Sequence, residues 1–290
     1  MIYSENRYPL FGIMLWRKRQ NALEFHGRNN AREATMPAEV HLFKCLKDNY
    51  GVLLHDPANG ATASIDAPEA GPVEEALRTK KWRLTDILVT HHHADHTGGI
   101  AELKARHSCR VTAPQREAQR IPAVDATVRE GDTVTVGSLV GRVLETPGHT
   151  AGHISYWFQS ENLAFVGDTL FSVGCGRLLE GSADVMWPSL LKLRGLPPET
   201  EVYCGHEYTA ANVHFALTIE PKNAALRARA DEVVKLCDAG RPTIPSKIGS
   251  EQQTNPFLRA DLPEVAAAVG LAGAPPVRVF AEVRARKDKF

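Results

Sequence analysis

From about Met36 the chain alternates short apolar runs with clusters of Gly, Pro and Asp, the texture of strands punctuated by turns. The spacing predicts strands over residues 51–55, 63–66 and 86–90, a helix over 72–80 and another over 98–106. A second set follows, with strands over 133–136, 139–145, 153–158, 163–166 and 201–204 and a helix over 183–193. Two β-rich halves, each carrying helices, are therefore expected. After Tyr208 the strand signals vanish and residues 210–217 and 223–239 take helical spacing, so the region from about residue 208 onward reads as α-helical. No internal repeat or low-complexity segment interrupts this order.

The histidines and aspartates change the picture, because they fall where the predicted strands end. One run is Thr90-His-His-His-Ala-Asp-His96, a second is Gly167-Asp168, a third is Gly205-His206, and the strand over 139–145 is followed by Thr-Pro-Gly-His149. Ligands bind beyond the carboxyl ends of strands in α/β sheets, so these four loops are expected to converge. His91 and His93 stand two apart, which in an extended segment puts both imidazoles on one side and lets them chelate one ion while His92 points away. Asp95 and His96 come where the segment turns toward a helix and suit a second ion. Two neighbouring dications need a shared anion, and Asp168 is the candidate. One ion would take His91, His93, His149 and Asp168, and the other Asp95, His96, His206 and Asp168. Imidazole and carboxylate suit zinc first, with iron and manganese as alternatives. A water held between the ions would be the nucleophile. His26, His41, His55, His107 and His214 read as surface or packing residues.

Composition narrows the class. The chain has 290 residues, 43% hydrophobic and 23% charged, which fits one sizeable catalytic domain with an appendage and excludes a disordered or fibrous protein. Thirty-four basic side chains balance 34 acidic ones, so no global field favours nucleic acid or an anionic membrane. Five cysteines without a CxxC pair read as reduced thiols and a cytoplasmic compartment. The apolar stretch at residues 11–16 is too short for a membrane span or signal core, and no A-x-A pattern follows it. Residues 1–35 read as a mobile extension, residues 36–207 as the catalytic domain and 208–290 as a helical substrate-binding domain. Cys175 and Cys204 flank site residues but show no Cys–His pairing, so they read as packing residues.

Residues 91–96 resemble the HxHxDH signature of the metallo-β-lactamase superfamily, which implies an α+β fold, an αββα sandwich followed here by the helical domain. More closely, THHHADHTGG, TPGHTAGHISY, FVGDTLFSVGCGR, VYCGHEYT, TNPFLR and the terminal R-x-x-K-D-x-F resemble the glyoxalase II (hydroxyacylglutathione hydrolase) family. The resemblance implies hydrolysis of S-D-lactoylglutathione to D-lactate and glutathione in methylglyoxal detoxification, two divalent metal ions, and catalytic Asp95 and Asp168; the chain reads as a monomer. It also implies glutathione contacts at Arg177, Tyr208, Arg284 and Lys287. Arg177 stands where lysine is common in the family, and Leu179 where many relatives have tyrosine, which removes one substrate hydrogen bond. The alternative is a persulfide dioxygenase-like mononuclear iron enzyme of the same fold, whose relatives read GRTDF where this chain reads GCGRLLEG.

Overall fold

A computed structural model describes residues 36–290. The amino-terminal extension, with residues 11–16 and His26, lies outside the described residues. The first half builds β1 (Glu39–Cys45), β2 (Asn49–Asp56), β3 (Ala61–Ile65), α1 (Ala70–Lys80), β4 (Asp86–Leu88), α2 (Ala94–Thr97), α3 (Ile100–His107), β5 (Arg110–Pro114) and β6 (Ala126–Val128). The six strands form one sheet in sequence order, antiparallel from β1 to β3 and parallel from β3 to β6. The second half builds β7 (Thr133–Val136), β8 (Leu139–Glu145), β9 (Ile154–Phe158), β10 (Leu163–Gly167), β11 (Leu170–Phe171), β12 (Gly174–Cys175), α4 (Ala183–Arg194) and β13 (Glu201–Cys204). Then come α5 (Thr209–Ile219), α6 (Ala224–Asp238), β14 (Ser246–Lys247), α7 (Ile248–Thr254), α8 (Pro263–Ala268) and α9 (Pro276–Lys289). The second sheet runs β14-β13-β10-β9-β8-β7.

Alternation along the strands explains the layers. In β2 every residue is buried: Val52 and Leu54 face Val143, Tyr156, Phe158 and Phe165 of the second sheet, whereas Leu53 points the other way, among residues of α1 and α3. The second sheet divides in the same manner. Tyr156, Phe158 and Phe165 look inward, while Ala164, Val166, Val202 and Cys204 look outward onto α4, α5, α7, α8 and α9. The result is the αββα sandwich, with the carboxyl-terminal helices sharing the outer core of the second sheet.

Three strands of the first sheet, β1, β5 and β6, escape the hydrophobic pattern. β1 has two exposed and four half-exposed residues, β5 begins with Arg110 and ends with Pro114, and β6 is three residues long, so none shows a clean apolar run. The helix expected over 98–106 is α3, which starts two residues later at Ile100, and the Gly98–Gly99 pair separates it from the short α2 before it. The expectation that strands end before residue 208 also needs correction, since Ser246–Lys247 pairs antiparallel with β13. Two residues are too few to carry a period. Among the described residues no helix is long and apolar enough to cross a membrane.

Candidate metal centre

The loops after β4, β8, β10 and β13 meet at one edge of the sandwich. β4 ends at Leu88 rather than at Thr90, and the extended stretch beyond it, through His93, leads into α2. His91 Nε2 lies 3.1 Å from His93 Nδ1, which lies 3.1 Å from His149 Nε2. Asp95, His96 and His206 form a second group, with His96 Nε2 3.4 Å from His206 Nε2 and His206 Nε2 3.4 Å from Asp95 Oδ2. Asp168 sits between the groups: Oδ1 is 3.4 Å from His96 Nε2, and Oδ2 is 3.5 Å from His149 Nε2 and 3.3 Å from His206 Nε2. The residues read from the sequence as one constellation thus come together. A side chain at Gly205 would put its Cβ 2.5 Å from Asp168 Oδ1, so only glycine lets this loop pass the carboxylate.

These contacts fit cations. A tetrahedral ion with bonds of about 2.0–2.1 Å separates its ligand atoms by about 3.3 Å, the spacing found among the facing nitrogens and carboxylate oxygens. Asp168 Oδ1 is buried without a hydrogen-bond partner, an expensive condition for an anion with no positive charge beside it. The far nitrogens are accounted for separately. His96 Nδ1 is 2.8 Å from Asp66 Oδ2, His206 Nδ1 2.9 Å from Asp48 Oδ1, His149 Nδ1 2.9 Å from the Arg177 carbonyl, and His91 Nδ1 3.0 Å from Thr90 Oγ1. With the outer nitrogen donating, the inner one presents a lone pair to the centre, as a metal-binding imidazole requires.

The charges within the site show the same preference. Burial opposes charging His96, yet Asp168 and Asp66 hold its pKa well above the usual value. Burial likewise opposes charge on His206, but hydrogen bonds to Asp168 and Asp95 push it up to about 10. Burial would raise Asp168, and His96 with His206 instead keeps it well below the carboxylate range. His91 goes the other way, lowered by burial and by neighbouring His96 and His153. The site gathers anions and draws positive charge into its interior.

Sequence reasoning missed the residues behind these donors. Asp66, held at φ 55° after β3, accepts from Thr90 N and Thr90 Oγ1 as well as facing His96. His153 Nε2 accepts from the Asp168 backbone N–H at 3.0 Å. Asn49 Nδ2 donates to the Asp95 carbonyl and to its carboxylate. Only Asp66 had a visible signal, an acidic residue at the end of a predicted strand. Of the histidines set aside, His55 stacks on Trp82 at 4.3 Å and His107 meets Glu74 at 2.9 Å, both packing roles.

The centre opens into a cleft of about 720 Å³ lined by His93, Asp95, His149, Asp168 and His206 on one side and by Arg177, Leu179, Tyr208, Arg284 and Lys287 on the other. Tyr208 stacks parallel on His206 with ring centroids 4.8 Å apart, and Leu179 is half exposed at the lip. Arg177 has no side-chain partner among the described residues, and Lys287 donates once, to the Ala211 carbonyl at 2.9 Å. Arg284 differs. It is 5% exposed, donates to the Cys175 carbonyl at 2.9 Å, pairs with Asp288 at 2.9 Å and lies over the Phe257 ring. Its guanidinium is therefore engaged by its own chain. Asn212, Arg229, Glu251 and Asn255 hydrogen-bond to the same segment, Phe171 to Gly174, so the helical region grips the hairpin that floors the cleft. Burial pushes the thiols of Cys175 and Cys204 up to about 11 and about 12, which keeps both protonated at neutral pH.

Comparison with known proteins gives the same order of parts. Residues 46–206 match the metallo-beta-lactamase superfamily, and residues 207–290 match the hydroxyacylglutathione hydrolase C-terminus. The chain is 61% identical over 254 residues to the hydroxyacylglutathione hydrolase of Rhodopseudomonas palustris (strain BisA53), covering 88% of this chain and all of that one. It is 60% identical over the same span to that of Nitrobacter hamburgensis, with the same coverage. Among solved structures, ETHE1 from Myxococcus xanthus superposes with a TM-score of 0.60 at 28% identity, covering 87% of this chain and 98% of that one. TTHA1623 in a di-iron-bound form superposes with a TM-score of 0.51 at 25% identity over 58% of this chain and 91% of its own. The twofold gap in identity separates the hydrolases from the ETHE1 neighbour, and with two donor groups sharing Asp168 and a helical region matched to its end, the chain belongs to the hydroxyacylglutathione hydrolase family of thioester hydrolases.

Proposed function

We propose that the chain hydrolyses S-D-lactoylglutathione to D-lactate and glutathione, with His91, His93, His149 and Asp168 holding one divalent cation and Asp95, His96, His206 and Asp168 a second. The observation that carries this reading is the placement of Asp168 between two donor groups, at the bottom of a cleft whose other wall bears Arg177, Tyr208 and Lys287. Zinc suits the imidazole and carboxylate donors first, with iron or manganese as alternatives. Bound dications supply Lewis acidity, bringing the pKa of water to near 7 and polarising a carbonyl oxygen.

The chain's own residues bind and orient the substrate. Arg177 and Lys287 offer cations to the two carboxylates of glutathione, Arg as a planar fork and Lys as a point charge. Burial pushes the Tyr208 hydroxyl up to about 12, so it remains a neutral donor beside the centre. Asp95, held below the carboxylate range by its hydrogen bond to His206, stays an acceptor. A thiolate leaves readily at neutral pH, and accordingly the mechanism assigns no general acid. Arg284 serves through the Cys175 hairpin and through its charge. Free cysteines support a cytoplasmic compartment, and balanced charge supports a small-molecule substrate over nucleic acid or membrane.

The test is loss of thioester absorbance with S-D-lactoylglutathione, run beside metal analysis of the same preparation. Turnover with two metal equivalents per chain is expected. Equal rates on a lactoyl thioester of a small neutral thiol would remove the glutathione assignment, and a metal-free active enzyme would remove the centre.

A further inference from the structure

His92, the middle histidine of the run, points away from the metal donors and ends against Glu117. Glu117 is buried in the turn after β5 and bonds to two separate loops. Its Oε2 accepts from the His92 backbone N–H at 2.8 Å and lies 2.7 Å from His92 Nδ1. Its Oε1 accepts from Thr150 Oγ1 at 2.5 Å and from the Gly152 backbone N–H at 2.7 Å. Each partner borders a site residue. His92 stands between His91 and His93, Thr150 follows His149, and Gly152 precedes His153, whose ring supports Asp168. Gly152 is glycine for the same contact, since a Cβ there would come 2.6 Å from Glu117 Cγ. On its other side His92 Nε2 lies 3.5 Å from Glu180 Oε1, and Glu180 accepts from Ala151 N at 2.9 Å. Glu180 thereby joins the loop that carries Arg177 and Leu179 to the same bracket.

We infer that Glu117 is a positioning residue for one half of the metal centre: its single carboxylate ties the His91–His93 segment to the His149 loop and so sets the spacing of that donor group. The donors of the other group are oriented by different residues, Asp66, Asp48 and Asn49, none of which touches Glu117. The bracket is therefore direct only toward the donors peculiar to the first group, and it reaches the shared Asp168 at one remove, through His153. His92, Glu117 and Glu180 are close enough to be considered a third cation site, but all the strong acceptor positions of Glu117 are already filled by donors, which assigns the cluster to support rather than ligation. In Glu117→Gln the amide nitrogen must face either the His92 donors or the Thr150 and Gly152 donors, so one tie becomes a donor-to-donor clash whichever way it turns.

The inference rests on the metal centre proposed above, and the experiment separates the two. Metal-stripped full-length chain is titrated with Zn²⁺ alone against a chromophoric chelator, for wild type, Glu117→Gln, Thr150→Val, His149→Ala and His206→Ala. Thermal unfolding of each stripped protein is followed in parallel. Wild type that takes up no zinc would overturn the centre itself. Given two wild-type equivalents, Glu117→Gln is expected to weaken one of them by about tenfold or more, the range for lost outer partners of a ligand. The weakened equivalent should be the one that His149→Ala removes, and the one lost in His206→Ala should keep its affinity within twofold. Thr150→Val, lacking one of the four donors, should weaken the same equivalent less, and it decides the matter where Glu117→Gln does not fold. Unchanged affinities, or an equal loss at both sites that tracks a lower unfolding temperature, would overturn the bracket.

Discussion

Replacing Arg284 by alanine tests whether this buried cation grips substrate or shapes the cleft. Its Nη1 is a donor to the Cys175 carbonyl, its Nε and Nη2 bind Asp288, and its guanidinium carbon is 5.0 Å from the Phe257 ring centroid. Leaving a buried carbonyl unsatisfied costs about 1–3 kcal/mol, and losing a desolvated cation–π contact adds about 0.5–2 kcal/mol. A total near 3 kcal/mol lowers Tm by roughly 6–12 °C in a chain of this size, at about 2–4 °C per kcal/mol. The effect reaches the chemistry as well, because the same segment presents the Arg177 carbonyl to His149 Nδ1. Arg284→Ala should therefore lower kcat as well as raise KM, whereas Lys287→Ala, whose ammonium makes one internal hydrogen bond, should mainly raise KM. Arg284→Lys should not rescue stability, since a point charge cannot reproduce a planar fork bonded to two partners. Circular dichroism melts and steady-state kinetics on the glutathione thioester read both quantities. Wild-type Tm and kcat in Arg284→Ala, with a raised KM restored by lysine, would refute the reasoning and return Arg284 to direct carboxylate binding.

Asp168→Ala removes the carboxylate that lies between the donor groups, so metal content should fall below two equivalents and turnover should drop by more than the roughly 100-fold that losing an outer partner costs. Retention of both metals and near-normal turnover would sink the bridging assignment. Glu251 is fully buried with Oε1 unpartnered, and burial, only partly offset by its hydrogen bond from Val173 N, raises its pKa above the usual 4.5. Stability tied to that raised value is complete below the unfolded pKa and declines as pH rises through the folded one. Glu251→Gln should thus flatten the fall in Tm as pH rises above the usual 4.5, and an unchanged pH profile of thermal unfolding would count against it. Deleting residues 1–35 should leave kcat/KM intact, because the whole length of the matched relatives is accounted for by 254 residues of this chain; a large loss of rate in the shortened chain would show that the extension contributes to catalysis.

What the sequence determined by itself was the set of candidate metal donors that the fold brings together. His91, His93, Asp95 and His96 are read from a six-residue window, and His149, Asp168 and His206 from their common position after predicted strands, because strand direction and loop position are local properties. The paired sheets were legible for the same reason wherever a run such as residues 49–56 or 139–145 was long enough to show its apolar character. Short strands such as Ser246–Lys247 were not, since their pairing is decided by β13 and not by their own residues. The supports of the centre belong to tertiary structure alone. Asp66 lies 30 residues from His96, Glu117 lies 35 from Gly152, and Asp48 lies 158 from His206, so no spacing rule connects them. Arg284 illustrates the limit from the other side. The family resemblance implied a cation offered to substrate, but a side chain's partners depend on what the fold packs around it, and here the fold places a carbonyl 109 residues away within its reach. Ligand identity is carried by the chemistry of single side chains, whereas ligand orientation depends on which distant donors and acceptors burial forces together, and only the folded chain decides that.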